Sequence, residues 1–411
     1  MTKRHFVAIS LILSFFLPNQ LFAQSSTVGE LLGQTSVNTI TTAVPFLLIA
    51  PDSRGGGMGD AGVATSPDAS SMHYNPAKLA FMEKEMSFNL SYTPWLSNLI
   101  DDIHLLYLGG YYHYDKRQTI GASLRYFSLG NITFTDIVGN TTGNFKPNEF
   151  AFDVAYSRLL SKNFSGSVAL RYIHSNLTGG VYVEGTESHA GNAVSSDISF
   201  YYKKKTEWLK RDGILSAGIN LSNIGTKISY TESAEKDFLP ANLKLGVAYT
   251  MDIDEYNQLM VTVDVNKLLV PTPPIYSDDP TNVDEDGNPI ILYGMDPDVS
   301  VVSGIFQSFY DAPGVLVNGE LSPGLEEFRE INYSVGVEYW YAKQFALRGG
   351  YFFEHPTKGN REFFTLGLGL KLNVFSLDFS YLVSTNSQHP LANTLRFTLG
   401  FDLESFNAEA K

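Results

Sequence analysis

Several stretches of this chain carry residue types that do chemistry in other settings. Gly57-Met58-Gly59-Asp60-Ala61-Gly62 has the glycine spacing that lets a backbone cradle a pyrophosphate. That chemistry needs a βαβ unit around the glycines and a downstream acid in the right context, and the sequence offers neither. A phosphate loop fails too, because no Lys-Ser/Thr follows the glycines. They read instead as backbone that bends tightly where other chain comes close. Asp102 and His104 share a strand face, a faint outline of a hydrolytic site. His174 and Asn176 also share a face, but Ser175 points the other way, so no nucleophile–base pair is evident. Asp284-Glu285-Asp286-Gly287-Asn288 has a calcium-loop flavour without the full spacing or the closing Glu. There is no His-Glu-x-x-His and no ligand cluster for a metal. The expectation is a protein that is not an enzyme, with no catalytic residues, metal or cofactor, a bound lipid or detergent-like molecule being left open.

The elements that would position these residues are strands. Met86-Ser87-Phe88-Asn89-Leu90-Ser91-Tyr92 alternates large apolar and small polar side chains, and the same beat recurs to Phe397-Thr398-Leu399-Gly400-Phe401. Before it, Lys3 and Arg4 lead an apolar run from Phe6 to Leu17 that closes at Leu21-Phe22-Ala23, too short for a spanning helix and ordered as an export signal over residues 1–23. Period-two alternation after an export signal spells a transmembrane β-barrel of the outer membrane. Tyr 23 and Phe 28 suit interfacial girdles, while Cys 0 excludes disulfides and thiolate metal sites. The net charge of -14 argues against nucleic acid as a partner.

Strand candidates fall at 85–94, 103–114, 118–129, 148–159, 164–175, 193–204, 212–221, 241–252, 257–268, 331–341, 345–354, 361–372, 373–384 and 391–402. Roughly fourteen spans of this length predict an antiparallel barrel with both ends on one side. Tight turns near 115–117, 160–163, 252–255, 342–344 and 373 alternate with longer links near 130–147, 176–192, 222–240, 269–330, 355–360 and 385–390. Lys203 to Arg211 is the longer member of the short set. Short periplasmic turns alternating with longer external loops is the outer-membrane arrangement, and a soluble sandwich has no reason to sort its loops so. Parity then puts Arg125, Asp153, Arg171, Asp197, Lys244, Asp264, Glu338, Arg348, Lys371, Asp378 and Arg396 inside. A charge on the lipid side costs about 2–4 kcal/mol at the midplane. Both signs occur, which predicts a cross-linked, narrow interior in preference to a one-sign channel.

The link at 269–330 is long enough to be functional. Its acidic part reads as solvated loop, whereas Ile305, Phe306, Phe309 and Tyr310 form an apolar stretch that predicts a protein-contact surface.

Residues 24–83 precede the first strand without alternation, and Val44-Pro45-Phe46-Leu47-Leu48-Ile49 is too apolar to float in water. Within them, Tyr74-Asn75-Pro76-Ala77-Lys78-Leu79-Ala80 resembles the Asn-Pro-Ala motif in the N-terminal hatch of FadL-type outer-membrane barrels. The stretch from Thr42 through Pro45, Arg54, Gly57, Gly59 and Asp60 to Gly62 resembles the N-terminal signature of the PorV-like barrels of the type IX secretion system in Bacteroidota. Leu221-Ser222-Asn223-Ile224-Gly225 is similar to a segment that recurs in those proteins. The resemblance implies a FadL-like fourteen-stranded barrel at 84–403, a hatch at 24–83 marked by Pro45, Arg54, Gly57, Gly59, Asp60, Gly62, Asn75, Pro76 and Ala77, and a tail at 404–411. It also implies a non-enzymatic role: binding the C-terminal signal domain of exported cargo at a large outer-membrane translocon barrel, then passing it to a sortase-like attachment protein at the surface. The alternative it leaves is a FadL-like transporter of hydrophobic small molecules. Outer-membrane lipid is a partner in either case.

Overall fold

The computed structural model describes residues 37–403, apart from 97–101, 136–137, 139–140, 181, 184–185, 209–210, 232–235, 278, 280, 286, 318–319 and 386–389. The export signal, the start of the expected hatch, the tail at 404–411 and the acidic residues Asp278 and Asp286 lie outside the described residues.

Ahead of the first strand the chain makes a 3-10 turn at Pro45–Leu48, helix α1 at Ser53–Gly56, helix α2 at Ser71–Tyr74 and a 3-10 helix at Pro76–Phe81. Fourteen strands follow. The first seven are β1 (Met86–Pro94), β2 (Ile103–Asp115), β3 (Gln118–Leu129), β4 (Asn148–Leu159), β5 (Phe164–Asn176), β6 (Gly191–Trp208) and β7 (Arg211–Gly225). The rest are β8 (Asn242–Asp252), β9 (Asn257–Leu268), β10 (Asn332–Tyr341), β11 (Phe345–Phe353), β12 (Glu362–Lys371), β13 (Phe375–Ser384) and β14 (Leu395–Asp402). Each pairs antiparallel with its neighbours in chain order, and β1 pairs with β14, so the sheet closes. This is an all-β transmembrane barrel of the outer membrane, with no free edge inside the bilayer.

The reason these residues form these strands is visible in β3, where Ser123 and Arg125 are buried and Leu124 and Tyr126 are exposed to the lipid. Among the described residues no helix is long and apolar enough to cross a membrane. The expected interior set follows its parity. Arg125, Asp153, Arg171, Asp197, Asp264, Glu338, Arg348 and Arg396 are buried, while Lys244 and Asp378 are half-buried. Lys371 is exposed, because it stands at the mouth on the short-turn side.

Two connections differ from the expectation. Lys203 to Arg211 is not a longer turn: β6 runs on to Trp208 and β7 starts at Arg211. The polar run looked like loop because the membrane's demand for apolar residues ends there while the ladder does not. The 269–330 link is also structured, with helix α3 at Val301–Gln307, helix α4 at Pro323–Arg329 and two small hairpins. Lys267 at the end of β9 holds Glu327 (3.0 Å) and Glu330 (2.6 Å), and Lys358 holds Glu326 (2.6 Å) and Glu330 (2.9 Å). These buried pairs pin α4 to the rim.

Candidate functional site

Residues 43–82 touch inward-facing side chains of strands from both ends of the barrel's chain order, so this segment fills the lumen. Two of its turns are capped by side chains. The Asp52 carboxylate accepts the N–H groups of Arg54 and Gly55 at 3.0 Å and so starts α1. Asn75 accepts the N–H of Ala77 at 3.1 Å, and Pro76 sits first in the 3-10 helix, where its missing N–H costs nothing.

The wall reads the segment by charge and by hydroxyl. Arg54 forms a two-pronged pair with Glu338 (2.9 and 2.7 Å) and reaches Asp68 (2.8 Å). Glu338 also accepts Arg348 (2.7 Å), which holds Asp378 (2.6 Å). The Asp264 carboxylate accepts the N–H groups of Gly62 (2.7 Å) and Val63 (2.9 Å). Arg125 donates to the carbonyls of Phe46 (3.2 Å) and Leu47 (2.6 Å), and the Phe46 ring stacks on Phe127. Asp60 faces Arg396 at 3.3 Å. Around the Asn-Pro-Ala motif, Asn75 donates to the carbonyls of Val63 (3.1 Å) and Phe200 (3.0 Å), while Ser157 donates to Pro76 (2.7 Å) and Ser165 to Ala77 (2.6 Å). Lys78 donates to the Gly62 carbonyl at 2.8 Å.

Gly59 is the position where glycine is required. Its φ is +69°, and a Cβ there would come within 2.6 Å of the Tyr351 backbone. Gly350, beside it on β11, has no room for a Cβ against Met58 and the Gly59 amide. Gly57 packs on Gly367, and Pro45 lines a cavity above. The structure thus brings Arg54, Gly57, Gly59, Asp60, Gly62, Asn75, Pro76 and Ala77 against the inner wall.

The reading from sequence missed the hydroxyl row, Ser157, Ser165, Ser199, Thr365 and Thr398, that serves the segment's backbone. Ser199 accepts the Ala77 N–H (3.1 Å), Thr365 that of Gly59 (2.8 Å) and Thr398 that of Ser53 (2.8 Å). Inward parity was the available signal. The Leu221-Ser222-Asn223-Ile224-Gly225 segment also gains a cause. Asn223 has φ +61° at a register shift between β6 and β7, donates to Pro240 (2.9 Å), gives its N–H to Asp197 (2.8 Å) and accepts from Arg171, which also pairs with Asp153 and Asp197.

Two cavities flank the segment and share no lining residue. The outer one, about 410 Å³, has an apolar wall with Ile49, Trp95 and Phe363 above a floor that includes Lys244 and Arg396. The periplasmic one, about 470 Å³, is lined by Arg54, Asp68, Arg348 and Lys371 among others.

The outer loop presents its apolar stretch outward. Val302, Phe306 and Tyr310 follow one another at four-residue steps and are 63%, 66% and 62% exposed. Phe309 is exposed beside the Lys267 ammonium, and Ile305 is half-buried. Elsewhere, the Asp102 carboxylate accepts the Asn131 N–H (2.8 Å), and the His174 ring meets Asn192 (2.9 Å). Asp284 accepts the Asn288 N–H within its own turn at 2.8 Å. No group of three His, Cys, Asp or Glu that could hold a metal occurs among the described residues.

Beneath the loop, Asp311 is buried and accepts the Thr272 N–H at 3.1 Å. Burial, with smaller help from the nearby Glu327 and Glu330 and against the Thr272 hydrogen bonds, pushes its carboxyl up to about 6. A raised carboxyl stabilises the fold fully below its ordinary value of 3.8, and that contribution is lost as pH rises through about 6. Asp311→Asn is therefore expected to make the loop more resistant to protease than the unaltered protein at neutral pH. The gap should close as the pH falls below the ordinary carboxylate value; equal resistance at neutral pH would contradict this.

The family described as Type IX secretion system protein PorV matches residues 33–275. No curated protein matches the chain. Among solved structures, the Pseudomonas putida toluene transporter TodX is 12% identical over 89% of this chain and 99% of its own, with a TM-score of 0.46. The Ralstonia pickettii toluene transporter TbuX is 11% identical over 86% and 96%, with a TM-score of 0.43. A Pseudomonas aeruginosa FadL homologue is 11% identical over 89% and 99%, with a TM-score of 0.41.

Proposed function

Because the chain belongs to the PorV family of type IX secretion system proteins, we propose that it serves that system as a non-enzymatic docking barrel. In this reading it receives the C-terminal signal domain of exported cargo at a large outer-membrane translocon barrel and passes it to a sortase-like attachment protein at the surface. The observation that carries the reading is the ordered outer loop. Its helix α4 is pinned to the rim by Lys267 and Lys358, while on α3 and just beyond it Val302, Phe306 and Tyr310 face water. An apolar face held rigidly outside the membrane is a protein-contact surface. The lumenal segment fits as a hatch, since the charges of the wall bind it instead of lining an open path.

Deleting the chain tests this. Cargo is expected to remain cell-associated and unattached, and normal release with normal surface attachment would overturn the reading. The outer cavity favours a second reading, carriage of a hydrophobic small molecule, because its apolar wall stands over cationic groups. Saturable uptake of a hydrophobe by vesicles containing this protein alone, with secretion unaffected by deletion, would select it.

A further inference from the structure

Among the described residues, one hairpin projects furthest from the periplasmic rim. β5 accompanies β6 to the pair Phe164 and Tyr202 and then turns, while β6 continues through Trp208 with β7 alone as its ladder partner. Lys203–Trp208 thus runs on for about 20 Å at about 3.3 Å per residue. The side of this stretch away from β7 carries no strand among the described residues. Asn163 caps its start: its carbonyl accepts the Lys203 N–H (2.8 Å) and its side-chain amide donates to the Lys203 carbonyl (2.7 Å). Backbone groups alternate sides along a strand, so the N–H and C=O of Lys205 and Glu207 point the same way, towards open water.

The hairpin is also basic. Lys203, Lys204, Lys205, Lys210 and Arg211 outnumber Glu207 and Asp212 within a few positions of a chain whose net charge is -14. Lys204, Lys205 and Arg211 are exposed. Lysines on an edge strand deter indiscriminate pairing. They do so selectively, because a cationic edge repels basic strands, gains nothing from neutral ones and attracts acidic ones. At the Asp115 to Gln118 turn β2 outruns β1 only from His113 to Asp115, and the Tyr341 to Phe345 turn closes level with its neighbours. Ordering a projecting strand costs conformational entropy that the barrel does not need to spend.

We propose that the open edge at Lys203–Trp208 is a periplasmic β-augmentation site that takes an extended, acidic segment of another protein. The backbone of Lys205 and Glu207 would supply the ladder, and Lys204, Lys205 and Arg211 the charge selection. This site lies on the opposite side of the membrane from the cargo-facing loop and does not depend on the role proposed above.

The test uses the full-length protein in nanodiscs of zwitterionic phospholipid. The probe is a short fluorescent peptide alternating Glu and Val, followed by anisotropy, with hydrogen exchange read at the Lys205 and Glu207 amides. Saturable binding is expected, with both amides protected. Backbone N-methylation of the peptide should weaken it about tenfold, as should Lys204→Glu combined with Lys205→Glu. Heat-modifiable gel migration confirms that the variant barrel is folded. Binding that ignores N-methylation would overturn the edge-pairing proposal, as would no binding at all. So would a charge reversal whose only effect is on affinity for anionic phospholipid added to the disc, since the hairpin would then be a headgroup contact beside Tyr202.

Discussion

Glu338→Ala is expected to destabilise the folded barrel by about 3–5 kcal/mol, the cost of breaking a buried ion pair by removing one partner. Glu338 is 1% exposed and is the shared acceptor of Arg54, on the lumenal segment, and Arg348, on the wall. Removing it leaves Arg54 with Asp68 alone and Arg348 with Asp378 alone, and the segment loses its two-pronged anchor. Urea unfolding in bilayers would read the stability. Protease cleavage between Ser53 and Asp68 in intact proteoliposomes would read release of the segment. Arg54→Ala should cost less, because Glu338 keeps Arg348 and Asp68 is partly exposed. If Glu338→Ala unfolds at the unaltered midpoint with the segment still protected, the wall does not hold the segment through this network.

The second large effect lies on the outer loop. Phe306→Asp with Tyr310→Asp is expected to weaken binding of a cargo C-terminal signal domain by about a thousandfold or more, since buried aromatic anchors are worth about 2 kcal/mol or more each at an interface and about 1.4 kcal/mol is tenfold. The barrel itself should be unaffected, because both side chains point into water and the loop is fixed by Lys267, Lys358, Glu326 and Glu330. Immobilised full-length protein and the isolated signal domain suffice for the measurement. An unchanged Kd would move the contact to another surface.

The wall of this barrel was legible in the sequence and its filling was not, for a physical reason. Lipid imposes one rule on every outward position, so Leu124 and Tyr126 announce their neighbours Ser123 and Arg125 without further information. Inside, the rule is pairwise. Arg54 finds Glu338 across 284 positions, and Asn75 finds the Phe200 carbonyl across 125. Nothing local in either stretch encodes the partner. Ser157, Ser165 and Ser199 looked like small polar fillers because a hydroxyl has no sign to match. Gly59 was legible as a bend where other chain comes close, but Tyr351 as that other chain was not, since the approach belongs to two distant pieces of sequence. The overhang of β6 was hidden for the opposite reason: below the membrane the lipid rule lapses, and a lysine run in a strand looks the same as one in a turn.

Thr398 joins things that are usually separate events in making a barrel. It stands on the last strand, where its hydroxyl accepts the N–H of Ser53 on the lumenal segment (2.8 Å) and meets the hydroxyl of Ser91 on the first strand (2.9 Å). Arg396, two positions earlier, faces Asp60 of the same segment. One hydroxyl therefore stitches the seam of the cylinder and moors its contents, so a change at Thr398 would loosen closure and filling together.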